Sequence, residues 1–565
     1  MRLAKVFGPI SATSGLLCLL LAQSCSQAES GSSPTSAGAS SVAGATTGPV
    51  SSAGTTSSGG AGAPGVAGAV NGGTAGSGEA PGGSANVGAG AGGTSSGGAP
   101  GAAGSSAAGS GGAVAAAGAA ACAPPTVSLT GADAVVGGKL ITFNDNGGWC
   151  WYQDERAVVD TKANKLVIGS VASGGSRNGY IEAVVYDIAA GTKKLSTLGT
   201  GLSGNVDDHN APAFLVRPDG KYFAMWSGHR SDCLSRSSIF DGTAWSAEKK
   251  FDWAGSGCPW TGADTNMVTY SNPWYIGSAI FAGVRSVGTD PAILTSTDDG
   301  QTLSYYGRLM STKQTGYVAG YFKYWGNNTD RIDFVGTEAH PRDKDTSLFH
   351  GYIKDGKVYD STGAVKDEEL KDPNATTSTA VDINTYTPVF KTGSTIGGVK
   401  LEHAWNHDIV RYADGTIAIL GQARVTGTGT DDPDKRMLYF RFDGTAWKAT
   451  YLAKAGKKLY ADEQDYTGLG ALVPDDSTTI YISTPYDPST DMMAAGGKRE
   501  IWRGTTCDNG VTFKWTPVTA NSTKDNIRPI VPKWDASHTA LLWMKGTYTS
   551  AQSYAMNIVG TLSGL

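Results

Sequence analysis

Val206-Asp-Asp-His209-Asn-Ala-Pro212 leads directly into Ala213-Phe-Leu-Val-Arg-Pro-Asp-Gly220 and then Lys221-Tyr-Phe-Ala-Met-Trp-Ser-Gly-His229. Two apolar runs flank Pro218-Asp219-Gly220. Proline presets the φ of a turn position, and glycine accepts the positive φ of a tight reversal, so the stretch reads as an antiparallel β-hairpin. A histidine stands at each outer end, and neither lies in the turn. In such a hairpin the outer ends lie side by side, which places His209 and His229 on one face of a sheet. Neighbouring imidazoles suit proton transfer or anion binding near neutral pH. Two unrelated surface histidines are the competing reading of the hairpin alone.

The same grammar recurs from about Pro124 to Leu565. Short apolar runs such as Lys165-Leu-Val-Ile-Gly, Thr416-Ile-Ala-Ile-Leu and Thr479-Ile-Tyr-Ile-Ser alternate with Asp-Gly turns at 299–300, 355–356, 414–415 and 443–444. No long stretch carries helical periodicity, so the fold class is all-β. This region is too long for one sandwich, and a radial β-propeller repeats four-stranded blades to any needed size. At roughly 45–60 residues per blade, seven or eight blades fit. Ser296-Thr-Asp298-Asp-Gly300-Gln-Thr302-Leu303 resembles the Asp-box turn of sialidase-type propellers, with Leu303 where tryptophan is usual. That box is a structural turn and carries no chemistry.

Outward from this region the chain changes character. It has 565 residues and a formal net charge of −5, so no basic surface for nucleic acid is expected. Residues 1–25 read as a lipoprotein-type signal peptide: Arg2 and Lys5, then an apolar core at Leu16–Ala22 too short to span a bilayer. Leu21-Ala-Gln-Ser-Cys25 resembles a lipobox, which makes Cys25 the candidate for lipidation and a membrane tether. The expected location is an exported, outer-surface or periplasmic lipoprotein; Gln23 is atypical, so plain secretion is the alternative. Residues 26–123 are Gly, Ala, Ser and Thr without an aromatic residue, a disordered low-complexity linker. Residues 124–565 form the propeller, expected as a monomer. Once Cys18 and Cys25 are set aside, Cys122, Cys150, Cys233, Cys258 and Cys507 remain, an odd number, so at least one has no partner in the chain. Cys233 with Cys258 is the expected disulfide.

Several stretches, in order, are similar to the BNR-repeat-containing propeller group that includes the β-propeller ulvan lyases. They are Asn144-Asp-Asn-Gly-Gly-Trp-Cys-Trp-Tyr-Gln-Asp154-Glu-Arg156; Asp207-Asp-His209-Asn-Ala-Pro; Thr269-Tyr270-Ser-Asn-Pro273 with Phe281-Ala-Gly-Val-Arg285; Tyr321-Phe-Lys-Tyr324; Glu338-Ala-His340-Pro-Arg-Asp343; and Asp465-Tyr466-Thr-Gly. The resemblance implies a seven-bladed propeller that cleaves a uronate-containing, ulvan-like rhamnose–uronate polysaccharide by β-elimination. It implies His209 and Tyr270 as catalytic residues, Arg285 as the group on the carboxylate, and His229 as a second histidine on the acidic sugar. Val284-Arg285-Ser286 stands where the family has Trp-Arg-Gly, a local departure. Tyr321 and Tyr324 are candidates for lining sugar subsites, with core tyrosines as the alternative. Arg156 and Asp154 read as a structural pair near a blade edge. No cofactor is needed for the chemistry. Related lyases carry a structural cation, so a Zn²⁺ or Ca²⁺ ion is considered, with His340 and His350 as the ligands to test; His403 and His407 also share a strand face. Two alternatives remain: an exo-acting lyase or hydrolase releasing rhamnose from glucuronate, and a non-catalytic surface glycan-binding propeller.

Overall fold

A computed structural model describes residues 127–200, 206–229, 231–252, 267–311, 320–372 and 380–565. The signal, the linker through residue 123, Cys25, Cys122 and Cys258 lie outside the described residues. The described chain is an all-β, seven-bladed propeller. The innermost strands of blades 1 to 7 are Ala157–Asp160, Ala213–Val216, Thr269–Ile276, Phe322–Gly326, Val399–Arg411, Gly470–Leu472 and Asp525–Ile530. Each blade then steps outward through antiparallel neighbours. Blade 7 is closed from the other end of the chain: Ile141–Asn144 is its outermost strand, paired with Ser553–Ser563.

The opening hairpin forms the inner half of blade 2, with Val216 opposite Tyr222 and Ala213 opposite Met225. Every residue of Tyr222–Ser227 is buried. Blades pack face to face, so a second strand buries both faces and shows a continuous apolar run instead of alternation.

The Asp-box at 296–303 has the expected turn chemistry. The Asp298 carboxylate accepts from the Thr302 backbone N–H at 2.9 Å and from its hydroxyl at 2.7 Å, and Gly300 N–H donates to Ser296 Oγ at 2.8 Å. A second box, unremarked in the sequence, closes blade 6. Thr506-Cys-Asp508-Asn-Gly510-Val-Thr512-Phe513 repeats the pattern with 2.8, 2.9 and 2.6 Å bonds from Gly510 N–H, Thr512 N–H and Thr512 Oγ1. Cys150 is a buried free thiol, whereas Cys233 and Cys507 each take part in a separate disulfide.

Candidate active site

The segment 147–156 crosses the propeller axis, and every turn of it is tied to a different blade. Gly148 bridges Val171 of blade 1, and Cys150 N–H donates to Asp208 O at 2.9 Å. Asn272 Nδ2 of blade 3 donates to Tyr152 O at 3.1 Å, and Lys323 Nζ of blade 4 donates to Trp151 O at 2.7 Å. Trp151 Nε1 donates to Asn406 O of blade 5 at 3.2 Å, and Arg528 Nη1 of blade 7 donates to Trp149 O at 2.5 Å. Asp154 and Arg156 do pair, at 3.5 Å, but on this axial plug and not at a blade edge. The plug supplies Trp151 and Tyr152 to an aromatic floor shared with Tyr270, Tyr321, Trp405 and Tyr466.

Bulges at the heads of inner strands aim side chains onto that floor. Register breaks between Thr269 and Asn272 in blade 3 and between Ile527 and Ile530 in blade 7. Tyr270 and Arg528, inside these breaks, have φ of 67° and 53°. A left-handed conformation at a large non-glycine residue is held against its own preference, and a bulge is the device that re-aims one side chain.

His209 and His229 stack with ring centroids 4.1 Å apart and planes 15° apart. Both direct Nδ1 to the same carboxylate, at 2.6 Å to Asp207 Oδ1 and 2.9 Å to Asp207 Oδ2. His209 Nδ1 also lies 2.9 Å from Asp208 Oδ1. Asp208 in turn accepts from Arg528 Nη1 at 2.5 Å and from Tyr548 OH at 2.6 Å. The two imidazoles differ sharply in acidity. Burial opposes charge on His209, but Cys150, Asp207, Tyr270 and Asp208 outweigh it and hold its pKa well above the imidazole range. Burial and the neighbouring His209 push His229 down to about 4 against the pull of Asp207. Both imidazoles hold Asp207 well below the usual carboxylate range despite its burial. The pair is therefore one imidazolium and one neutral imidazole. With Nδ1–H of His229 given to Asp207, its Nε2 lone pair is the open position. His209 Nε2 lies 3.5 Å from Tyr466 OH.

Arg285 is buried with its guanidinium 4.9 Å from the Tyr270 ring centroid and 5.4 Å from that of Tyr321. Tyr270 lies 5.9 Å from His209, centroid to centroid. His209, His229, Tyr270, Arg285 and Tyr321 thus form one neighbourhood. His340 joins it: its Nδ1 accepts from Arg342 N–H at 3.2 Å, so Nε2 carries the proton and donates to Tyr321 OH at 3.1 Å. Burial and Arg342 lower His340 to about 3, keeping it neutral.

Tyr324 and His350 lie elsewhere. Tyr324 belongs to the buried cluster that runs from blade 3 to blade 6, its ring against Gly283 of blade 3. His350 is enclosed within blade 4, with Nε2 3.2 Å from Asp333 Oδ1 and Nδ1 2.9 Å from Ser361 Oγ. His340 and His350 are engaged with different partners and do not converge. Among the described residues, the groups close enough to ligate one ion are Cys150–Asp208–His209 and Asp207–His209–His229. Both run through His209, whose Nδ1 already serves two carboxylates.

Three residues of the site carried no assignment from sequence. Arg528 is fully buried beside Asp208, and an arginine inside the apolar run Ile527-Arg-Pro-Ile-Val531 is a legible sign, since a buried charge needs a partner. Trp405 donates Nε1–H to Asp465 Oδ2 at 2.9 Å. Glu463 accepts from Arg342 Nη1 at 2.6 Å, and burial raises it to about 7 against the pull of Arg342.

No protein-family model and no curated protein matches this chain. Among solved structures it is similar to an ulvan lyase of polysaccharide lyase family 25, with 12% identity, a TM-score of 0.53, and coverage of 74% of this chain and 95% of that one. The same lyase family bound to -[GlcA(1-4)Rha3S]- gives 12% identity and a TM-score of 0.52 over the same shares. At that identity the likeness is one of fold. What the chain shares with these lyases is the overall fold.

Proposed function

We propose that this chain is a polysaccharide lyase that cleaves a uronate-containing, ulvan-like polysaccharide by β-elimination. The observation that carries the proposal is the split histidine pair beside a tyrosine-flanked arginine. β-Elimination needs three things at one place: neutralisation of the C5 carboxylate, a base for the C5 proton, and an acid for the departing O4. Arg285 supplies the first, from a site whose aromatic walls exclude water and strengthen its field. Two groups with separated acidities supply the others. Neutral His229 accepts the C5 proton at Nε2, the C4–O4 bond breaks as the C4=C5 bond forms, and cationic His209 donates its Nε2 proton to O4. Tyr270, between Arg285 and His209, is the second candidate carrier of either proton. The lyase structure that holds a glucuronate–rhamnose sulfate unit supports this substrate class through shared architecture.

Hydrolysis is the second reading, favoured by Glu463: a carboxyl raised to about 7 suits a general acid. The test is ultraviolet absorbance of the unsaturated uronate while the purified protein digests ulvan. Rising absorbance is expected, with Arg285→Ala reducing kcat/KM by roughly 10²-fold or more while the far-ultraviolet spectrum stays unchanged. New reducing ends without absorbance would transfer the chemistry to hydrolysis. Near-normal turnover by Arg285→Ala would remove Arg285 from the mechanism.

A further inference from the structure

At the opposite ends of the inner strands from His209 and Tyr270, the propeller holds a cavity of about 290 Å³. Its walls include Trp274 from blade 3, Trp325 from blade 4, and Lys533 and Trp534 from the segment after the inner strand of blade 7. Tyr270 and Trp274 are four positions apart along the strand, at most about 13 Å at roughly 3.3 Å per residue. Between the two openings lies the plug, where Lys323 Nζ is paired with Asp154 and bonded to Trp151 O. The cavity is therefore separate from the candidate active site.

The chemistry of its walls is specific. Trp274 is 3% exposed, and its Nε1–H is buried with no acceptor among the described residues. The indole of Trp274 therefore serves the cavity as an apolar wall. Glu155 also lines the cavity; burial and the neighbouring Asp154 and Asp408 carboxylates favour its uncharged form, which both donates and accepts. Lys533 is exposed and makes no ion pair among the described residues. Trp534 is half-buried, with one indole face stacked on His538 at 5.0 Å between centroids and its edge packed toward the core, which leaves the remaining surface to the cavity. Indole walls, a few convergent polar groups and one cation at the rim match a ring with apolar faces, a hydroxyl edge and a negative substituent.

We infer that this cavity is a second carbohydrate-binding site, which takes one anionic pyranose unit of a polysaccharide on the propeller face away from the histidine pair. The inference rests on the proposed polysaccharide substrate for the choice of polymer. The pyranose stacks on Trp534 beside the apolar walls of Trp274 and Trp325, and Lys533 pairs with its carboxylate or sulfate ester. Such a site holds the polymer near the enzyme without taking part in the reaction.

The test is native-gel affinity electrophoresis of the full chain in gels with and without ulvan, with Arg285→Ala present so that the polymer survives the run. Lys533→Gln, on an exposed side chain, and Trp534→Ala are added singly to that background. The expected result is retardation by ulvan that weakens at least about fivefold in apparent Kd with either addition. Lys533→Gln alone is expected to cleave a short soluble ulvan oligosaccharide within twofold of the unmutated rate. A parallel gel of desulfated ulvan identifies the anion: retained retardation assigns the carboxylate, and lost retardation assigns the sulfate ester. Lys533→Gln with undiminished retardation would overturn the second site while leaving the lyase reading intact. Ulvan that is neither cleaved by the unmutated chain nor able to retard it would overturn both readings, and cleavage without retardation would overturn the second site alone.

Discussion

His209 and His229 share one carboxylate and stack on each other, yet carry different charges because their surroundings differ by a few atoms. His209 has Asp208 as a second acceptor, itself held by Arg528, whereas His229 has Asp207 and, beside it, the cationic His209 that opposes a second positive charge. The pH dependence follows with a definite sign. His229 must be neutral to accept a proton, so kcat/KM is expected to fall as pH drops through about 4. His209 must be protonated to donate, so kcat/KM is expected to fall as pH rises through its raised pKa, leaving a plateau that spans neutrality. Asp207→Asn removes a carboxylate that favours the imidazolium, and it is expected to move the alkaline limb to lower pH; a pH–rate series on both proteins checks this. An alkaline limb that stays in place would show that His209 is not the donor. The meeting of the two histidines was legible because a hairpin brings its ends together whatever the tertiary context. The separation of Tyr321 from Tyr324 was not, because both are buried in the blade 4 inner-strand region and only the fold shows that Tyr324 faces Gly283.

The Asp-box glycines do more than permit a turn. Gly300 of blade 3 has φ +81° and lies against Phe223 of blade 2; Gly510 of blade 6 has φ +83° and lies against Tyr439 of blade 5. Each box thus fastens its blade to the preceding one through a contact only glycine leaves room for. A Cβ at residue 510 would sit 2.3 Å from the Tyr439 ring, in addition to the left-handed backbone strain. Gly510→Ala is accordingly expected to destabilise the propeller by about 2–4 kcal/mol, read as a lower denaturant midpoint with unchanged m-value. A midpoint equal to that of the parent would mean that the box is a turn and not a fastener. The first box was visible in sequence through its serine, aspartate, glycine and threonine. The second carries Thr506 for serine and Phe513 at the end, which preserves every hydrogen bond while changing the residue names.

Closure of the ring depends on the stretch just before the plug. Ala134–Val135 pairs with Thr519–Ala520 beyond blade 6, and Ile141–Asn144 completes blade 7. Asn144 Nδ2 then donates to Ser170 Oγ at 3.0 Å and to Glu182 Oε2 at 2.9 Å in blade 1. A single strap therefore joins the last two blades to the first before the chain enters the axis. The number of blades could be reasoned from the spacing of apolar runs, but this pairing could not, since its two strands lie at opposite ends of the folded chain and neither carries a signal naming the other. The strap turns seven laterally packed sheets into a closed ring, so its loss should act on the whole molecule and not on blade 7 alone. Two proteins, one beginning at residue 127 and the other at residue 146, differ only in this strap. The shorter is expected to show a lower thermal midpoint and a broader unfolding transition in calorimetry, because an unclosed ring can open from its free edge. It is also expected to lose turnover before it loses β-structure, since Trp149 O and Asp208 are both held by Arg528 of blade 7. Equal midpoints and equally sharp transitions would show instead that the axial plug and the blade interfaces close the ring without the strap.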